Sequence, residues 1–227
     1  MNAFHTLTGF APGAAQICDM LRQQILRGML RPGTRMSEVD VAARAGTSRQ
    51  PVREAFIRLA AEGLADVRPQ RGTYVTMISA RAVLSARFVR EAIEADVVAL
   101  LASDPQPAAA IERVRAALQD QAKAAQDGDA HRFVDLDDAF HRALAELAGQ
   151  AEVWTILEDL KSHMNRVRHI TARQSDLRRL VDQHARIVDA IAAGQVEPAT
   201  AAMRTHLRQL LADLPEITAA HPDYFTE

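Results

Sequence analysis

A single cysteine, Cys18, leaves this 227-residue chain without any internal disulfide. Its place within a helical pattern suits a small buried residue better than a reactive thiol. No stretch approaches the uninterrupted apolar length of a membrane span, and the opening MNAFHTLTGF lacks a basic segment leading into an apolar one. A cytoplasmic protein with no membrane association is the resulting expectation. Between Ala80 and Leu214 glycine occurs only at Gly128, Gly149 and Gly194. That region shows neither strand-like alternation nor a convincing repeat, which argues against a β-rich or repetitive body.

What is present is a chain that is 48% hydrophobic and 25% charged, enough for two modest packed domains. The formal net charge of −2 looks unsuited to a nucleic-acid binder. Its distribution is uneven, however. Residues 14–75 hold ten Arg against six Asp or Glu, giving +4, and the remainder holds seventeen Lys or Arg against twenty-three acids, giving −6. A basic segment on an acidic body is expected where one part alone meets phosphate.

The stretch SEVDVAARAGTSRQPVREAFIRLAAEGLADVRPQRGTYV, Ser37 to Val75, reads as helix, tight turn, helix and small hairpin. Val41, Ala42 and Ala45 share one side of the first helix, and Gly46 supplies the permissive backbone of the turn. Thr47 or Ser48 caps the second helix, whose stripe is Val52, Ala55, Phe56 and Leu59. Pro51 is tolerable in its first turn. Arg49 and Arg53, one turn apart outside the stripe, are placed to reach guanine edges or phosphates. Runs Leu64–Val67 and Thr73–Met77, joined through Arg68, Pro69, Gln70, Arg71 and Gly72, read as a basic-tipped wing.

GTSRQPVREAFIRLAAEGL followed by RGTYV resembles the winged-helix domain of the GntR family of bacterial transcription regulators, over roughly Ala14 to Ile78. The resemblance implies DNA contacts at Ser48, Arg49 and Arg53, with Gly72 at the wing tip. Gln50 and Arg71 join them as candidate contacts. Val39, Thr47 and Gln50 depart from more usual family residues, which bears on the operator sequence rather than on the family.

The chain therefore divides into a lead-in at 1–13, a winged helix-turn-helix at 14–78, a helical body at 79–214 and a tail at 215–227. The first helix runs from about Ala14 to Arg27. The body reads as an all-α antiparallel bundle of six helices, at about 80–102, 108–127, 130–148, 151–172, 176–193 and 196–213, broken by Asp104-Pro105-Gln106-Pro107 and by the three glycines. The fold class is mainly α, with an extended C-terminal appendage.

Within that body, ionisable residues fall inside apolar stripes. Asp137 and His141 stack one turn apart among Phe133, Leu136, Phe140 and Leu144. His184 lies among Leu180, Val181, Ile187 and Val188, and His206 among Met203, Leu207 and Leu210. Singly, each histidine reads more simply as a satisfied core residue. Together, three imidazoles and one carboxylate directed inward match the needs of a divalent transition metal. Zinc is taken first, with nickel, manganese or iron as alternatives. The segment resembles the effector domain of the FadR-like branch of GntR regulators (the FCD type), whose metal-binding members carry an Asp-x3-His pair and two later histidines. On that resemblance the ligands are Asp137, His141, His184 and His206.

Effector candidates are Arg90, Asn165 and Arg168. Arg90 shares the apolar side with Val89, Ile93 and Val97, where it could hold a carboxylate bidentately or close an internal salt bridge. Asn165 and Arg168 lie beside their helix's stripe, where solvent exposure is the plainer reading. His131, His163 and His169 lack inward partners in the pattern and read as surface residues. The expected function is a homodimeric, metal-containing regulator, a repressor rather than an enzyme, that binds a double-stranded DNA operator under control of a small carboxylate or sugar acid. A direct metal sensor, a metal-dependent enzyme and a purely structural ion are the competing readings.

Overall fold

A computed structural model describes residues 11–172 and 175–226. The lead-in expected at 1–13 therefore lies mostly outside the described residues. The described residues form two compact units, one comprising those up to Ser79 with the C-terminal segment from His221, the other Ala80–Ala220. The chain passes between them twice.

In the first unit, α1 (Ala14–Leu26) packs with α2 (Glu38–Ala45) and α3 (Arg49–Ala61). The Ser37 side chain caps α2 by accepting from the Asp40 amide. Gly46 ends the helix in the left-handed region, φ 63 and ψ 35, and turns the chain into α3. Ser48 is the N-cap residue of α3, without a side-chain capping bond. Ile17, Leu21, Ile25, Val41, Val52, Phe56 and Leu59 form one core. Arg22 ties α1 to the end of α3 through Glu62, Nη2 to Oε1 at 2.6 Å.

The wing is three-stranded, not two. Strands β1 (Arg35–Met36), β2 (Ala65–Arg68) and β3 (Gly72–Val75) form an antiparallel sheet in the order β1-β3-β2. A strand of two residues is too short to show alternation, so β1 left no pattern in the sequence.

Among the described residues the second unit holds seven helices: α4 (Ala80–Ser103), α5 (Ala108–Asp127), α6 (Ala130–Leu147), α7 (Ala151–Leu160), α8 (Ser162–Thr171), α9 (Leu177–Ala192) and α10 (Val196–Ala220). Val98, Leu101, Phe140, Leu144, Ile187, Val188, Met203 and Leu207 belong to its main core. Gly128 closes α5 in the left-handed region, and the Asp129 and Asp176 side chains cap α6 and α9.

Two expectations need correcting. The helix expected at 151–172 is interrupted at Lys161, whose backbone sits at φ −94 and ψ 8. There the buried ammonium reaches Asp138 Oδ2 at 2.8 Å and lies 4.1 Å from the Trp154 ring centroid, contacts that offset the cost of burying it. The tail expected from 215 is helical as far as Ala220, because α10 continues through Pro215. Leu207, Leu210, Leu214 and Ile217 prolong one apolar face across the proline. Beyond it, a 3-10 turn at Pro222–Tyr224 leads to β5 (Phe225–Thr226), parallel to β4 (Ile78–Ser79).

Candidate functional site

Asp137 and His141 on α6, His184 on α9 and His206 on α10 converge inside the helical unit, each buried, with one ligand atom apiece inside a 4.8 Å spread. His206 Nε2 lies 3.2 Å from both His141 Nε2 and His184 Nε2. Asp137 Oδ1 lies 3.4 Å from His184 Nε2, and Oδ2 lies 3.7 Å from His141 Nε2.

The outward nitrogens explain this convergence. His184 Nδ1 donates to Gln121 Oε1 at 2.8 Å, and His206 Nδ1 donates to Gln183 Oε1 at 3.0 Å. His141 Nδ1 is in charge contact with Glu94 Oε2 at 2.5 Å. Acceptors at every Nδ1 leave the Nε2 lone pairs facing one another beside a carboxylate. Without a cation that arrangement is repulsive; with one it is a nitrogen-rich, singly anionic donor set that suits a divalent transition ion.

Charges around the donors favour the required protonation states. Burial pushes the His184 pKa down to about 3 and that of His206 well below the ordinary value, so both stay neutral. Burial alone would raise the Asp137 carboxyl, but Arg168, with His141 and His184, holds it well below its ordinary range. Glu94 is likewise kept ionised against burial by Arg90 and His141.

A cavity of about 350 Å³ within this unit reaches the cluster, with Arg90, Asp137, Arg168 and His206 among its lining residues. Of Arg90's two readings the internal salt bridge is formed, with Glu94, from Nε to Oε1 at 2.5 Å, and Arg90 also lines the cavity. Arg168 is drawn in from the solvated position its spacing suggested. Its guanidinium bonds Asp137 and reaches Asp138 Oδ1 at 2.5 Å. Asn165 is half-buried, with Nδ2 3.5 Å from Asp138 Oδ2, and is not among the cavity-lining residues.

The surface reading of the other histidines is also corrected. His169 is buried, and its Nδ1 lies 3.2 Å from Nδ1 of the half-buried His131. His163 is half-buried, and burial lowers its pKa.

Glu94, Gln121 and Gln183 were absent from the sequence-derived site. Gln121 was within reach of the reasoning that found the histidines, since it continues Ile111, Val114 and Leu118 at helical spacing and is fully buried. Asp138 and Lys161 carried no such signal.

On the winged helix, Ser48, Arg49, Gln50, Arg53 and Arg71 are all exposed. Glu38 on α2 pairs with both Arg49 and Arg53, Arg49 Nη2 to Oε2 and Arg53 Nε to Oε1, each at 3.0 Å. Gln50 donates to Glu54 at 3.0 Å. The tip of the hairpin is Pro69 to Arg71, with Gln70 at φ 59, and Gly72 is the first residue of β3. Gly72 sits at φ 104, a backbone conformation that strains any residue with a side chain; the Cβ itself would stand 2.9 Å from Nε of the exposed Arg35, which can swing aside.

Comparison with known proteins gives the same two-part division. Residues 14–75 match the family described as bacterial regulatory proteins, gntR family, and residues 86–209 match the FCD domain. The chain is 36% identical to the HTH-type transcriptional repressor RspR of Escherichia coli over 217 residues, covering 95% of each. It is 39% identical over 206 residues to an HTH-type regulator in an unstable DNA locus of Streptomyces ambofaciens, covering 90% of this chain and 86% of that one. Among solved structures, Escherichia coli McbR/YncC shares the fold with a TM-score of 0.75 at 22% identity, over 89% of this chain and 97% of that one. The chain belongs to the GntR family of bacterial transcription regulators, with a winged helix-turn-helix joined to an FCD domain.

Proposed function

We propose that this regulator is a homodimeric repressor whose operator binding is controlled by a small organic acid held at a metal centre formed by Asp137, His141, His184 and His206. The observation that carries the reading is the shared wall: Asp137 and His206 belong both to the donor cluster and to the cavity lining, beside Arg90 and Arg168. An acid entering the cavity meets a positive end, where two guanidinium groups and an ion favour its carboxylate. Zinc suits three imidazoles and one carboxylate, and nickel, manganese or iron suit them too.

Relatives named as repressors support the direction of control, RspR and a probable D-xylose utilization operon repressor among them. Dimer formation is supported by Leu84 and Phe88, exposed apolar side chains one turn apart on α4. Two such chains would offer two winged helices to a two-fold operator, with Ser48, Arg49, Gln50, Arg53, Arg71 and the Gly72 turn as the contact set. A cytoplasmic location follows from acting on DNA in a bacterium.

The ligand changes DNA affinity by the difference in its affinity for the two arrangements of the regulator. The test is operator binding of metal-loaded protein, followed by fluorescence anisotropy while small carboxylates are titrated. Release of DNA by an acid, lost on Arg90→Ala, is the expected result. Release by metal alone, with no response to any acid, favours a direct metal sensor instead.

A further inference from the structure

One carboxylate bridges the two helices of the helix-turn-helix. Glu38 is the first residue of α2, directly after its cap Ser37, and it reaches the first two turns of α3. Three hydrogen bonds of 3.0 Å converge on it: Arg49 Nη2 and Arg53 Nη2 donate to Oε2, and Arg53 Nε donates to Oε1. Arg53 is thus held side-on by both oxygens, a geometry that fixes the plane of its guanidinium. An isolated surface ion pair fixes little, but a bidentate one shared with a second arginine does. Gln50 differs, since its bond to Glu54 runs along α3 itself.

The donors left over decide what the arginines can do. A guanidinium carries five N–H groups in a rigid fork. Glu38 occupies the Nε–Nη2 edge of Arg53 and leaves the Nη1–Nη2 end, the pair that fits guanine O6 and N7. Arg49 gives up a donor at Nη2 alone. The two arginine side chains are 60% and 54% exposed and Glu38 only 24%, so the acid backs the arginines rather than covering them. Attraction to phosphate depends on net charge instead of fork orientation. One carboxylate shared by two guanidinium groups leaves the trio at +1 in place of +2, which weakens binding to any duplex regardless of sequence.

Resting on the DNA-contact assignment above, we infer that Glu38 is a positioning residue that determines specificity: it stays bonded to Arg49 and Arg53 on the DNA, aims them at base edges, and lowers affinity for unrelated sequence. The probe is a duplex selected from a random-sequence pool by the full wild-type chain, with a scrambled duplex as control. Fluorescence anisotropy at several KCl concentrations compares the wild type with Glu38→Gln, Glu38→Asp and Arg49→Ala/Arg53→Ala. In Glu38→Gln the ratio of selected to scrambled affinity falls roughly tenfold or more, the discrimination that one bidentate base contact supplies. Affinity for the scrambled duplex rises, and its log–log salt slope steepens by about 0.9 for each arginine turned to phosphate. Glu38→Asp keeps the charge but shortens the reach, and it loses the ratio as well.

Tighter binding of both duplexes by the same factor in Glu38→Gln means that Glu38 only competes with DNA for the arginines, and overturns the inference. A wild-type ratio in Glu38→Asp reduces Glu38 to a charge and overturns it too. In both cases weakened binding of the selected duplex by Arg49→Ala/Arg53→Ala leaves the contact assignment intact. Undiminished binding by that double variant overturns the assignment, and the inference with it.

Discussion

At the scale of single residues, the proposed metal centre would depend on side chains outside the donor set itself. Gln121 fixes the tautomer of His184 from its outer nitrogen. Gln121→Leu should lower zinc affinity by about 10–100-fold while the helices remain, as read by chelator competition; unchanged affinity would remove Gln121 from the centre. Glu91 offers a contrast without metal. Arg208 first, then Arg204, hold its carboxyl down to about 2 from 4.5, against the opposing effect of burial, so its pairing stabilises the fold above its ordinary value and fades as pH falls toward 2. Glu91→Gln should therefore lower the melting temperature at neutral pH and converge with the wild type near pH 2 to 3. A gap that persists in acid would mean that Glu91 acts through packing rather than charge. At the DNA face, Arg53→Ala should weaken operator binding roughly ten- to a hundredfold at fixed salt. Glu38→Gln, which frees both arginines, should tighten non-specific binding and steepen its salt dependence.

Individual positions differed in how legible they were. His141, His184 and His206 stood out because a polar residue breaks an apolar stripe, and Gln121 and Glu94 break stripes in the same way. Lys161 and Arg168 did not, because their heads reach inward from positions beside the stripe, and only the tertiary position of Asp138 draws them in.

Among the elements, the turn between α2 and α3 is the clearest case of local chemistry deciding structure. An added Cβ at Gly46 meets no atom within 4 Å, so only the left-handed backbone opposes a side chain there. Gly46→Ala should destabilise the winged unit by about 1–2 kcal/mol in urea unfolding, and Gly46→Asn by less. Equal losses for the two would point to packing instead. This turn, and the helices on either side of it, were legible because glycine, caps and apolar spacing agreed. The end of α10 was not: the pattern was read only to 213, while Leu214 and Ile217 carry the apolar face on past Pro215. Likewise β1, β4 and β5 are two residues each and exist through pairing with distant segments rather than through any pattern of their own.

For the whole molecule, the central claim is that the helical unit of this GntR regulator is built around an ion. Metal present at a thousandfold excess over its dissociation constant should add about 4 kcal/mol to that unit's stability, and chelation should remove it. The most direct test is the metal stoichiometry of the purified chain, by inductively coupled plasma mass spectrometry after exposure to zinc and dialysis. One ion per wild-type chain, and none in a His184→Ala/His206→Ala variant with unchanged circular dichroism, is the predicted result. A metal-free wild type, or equal stoichiometry in both proteins, would contradict it.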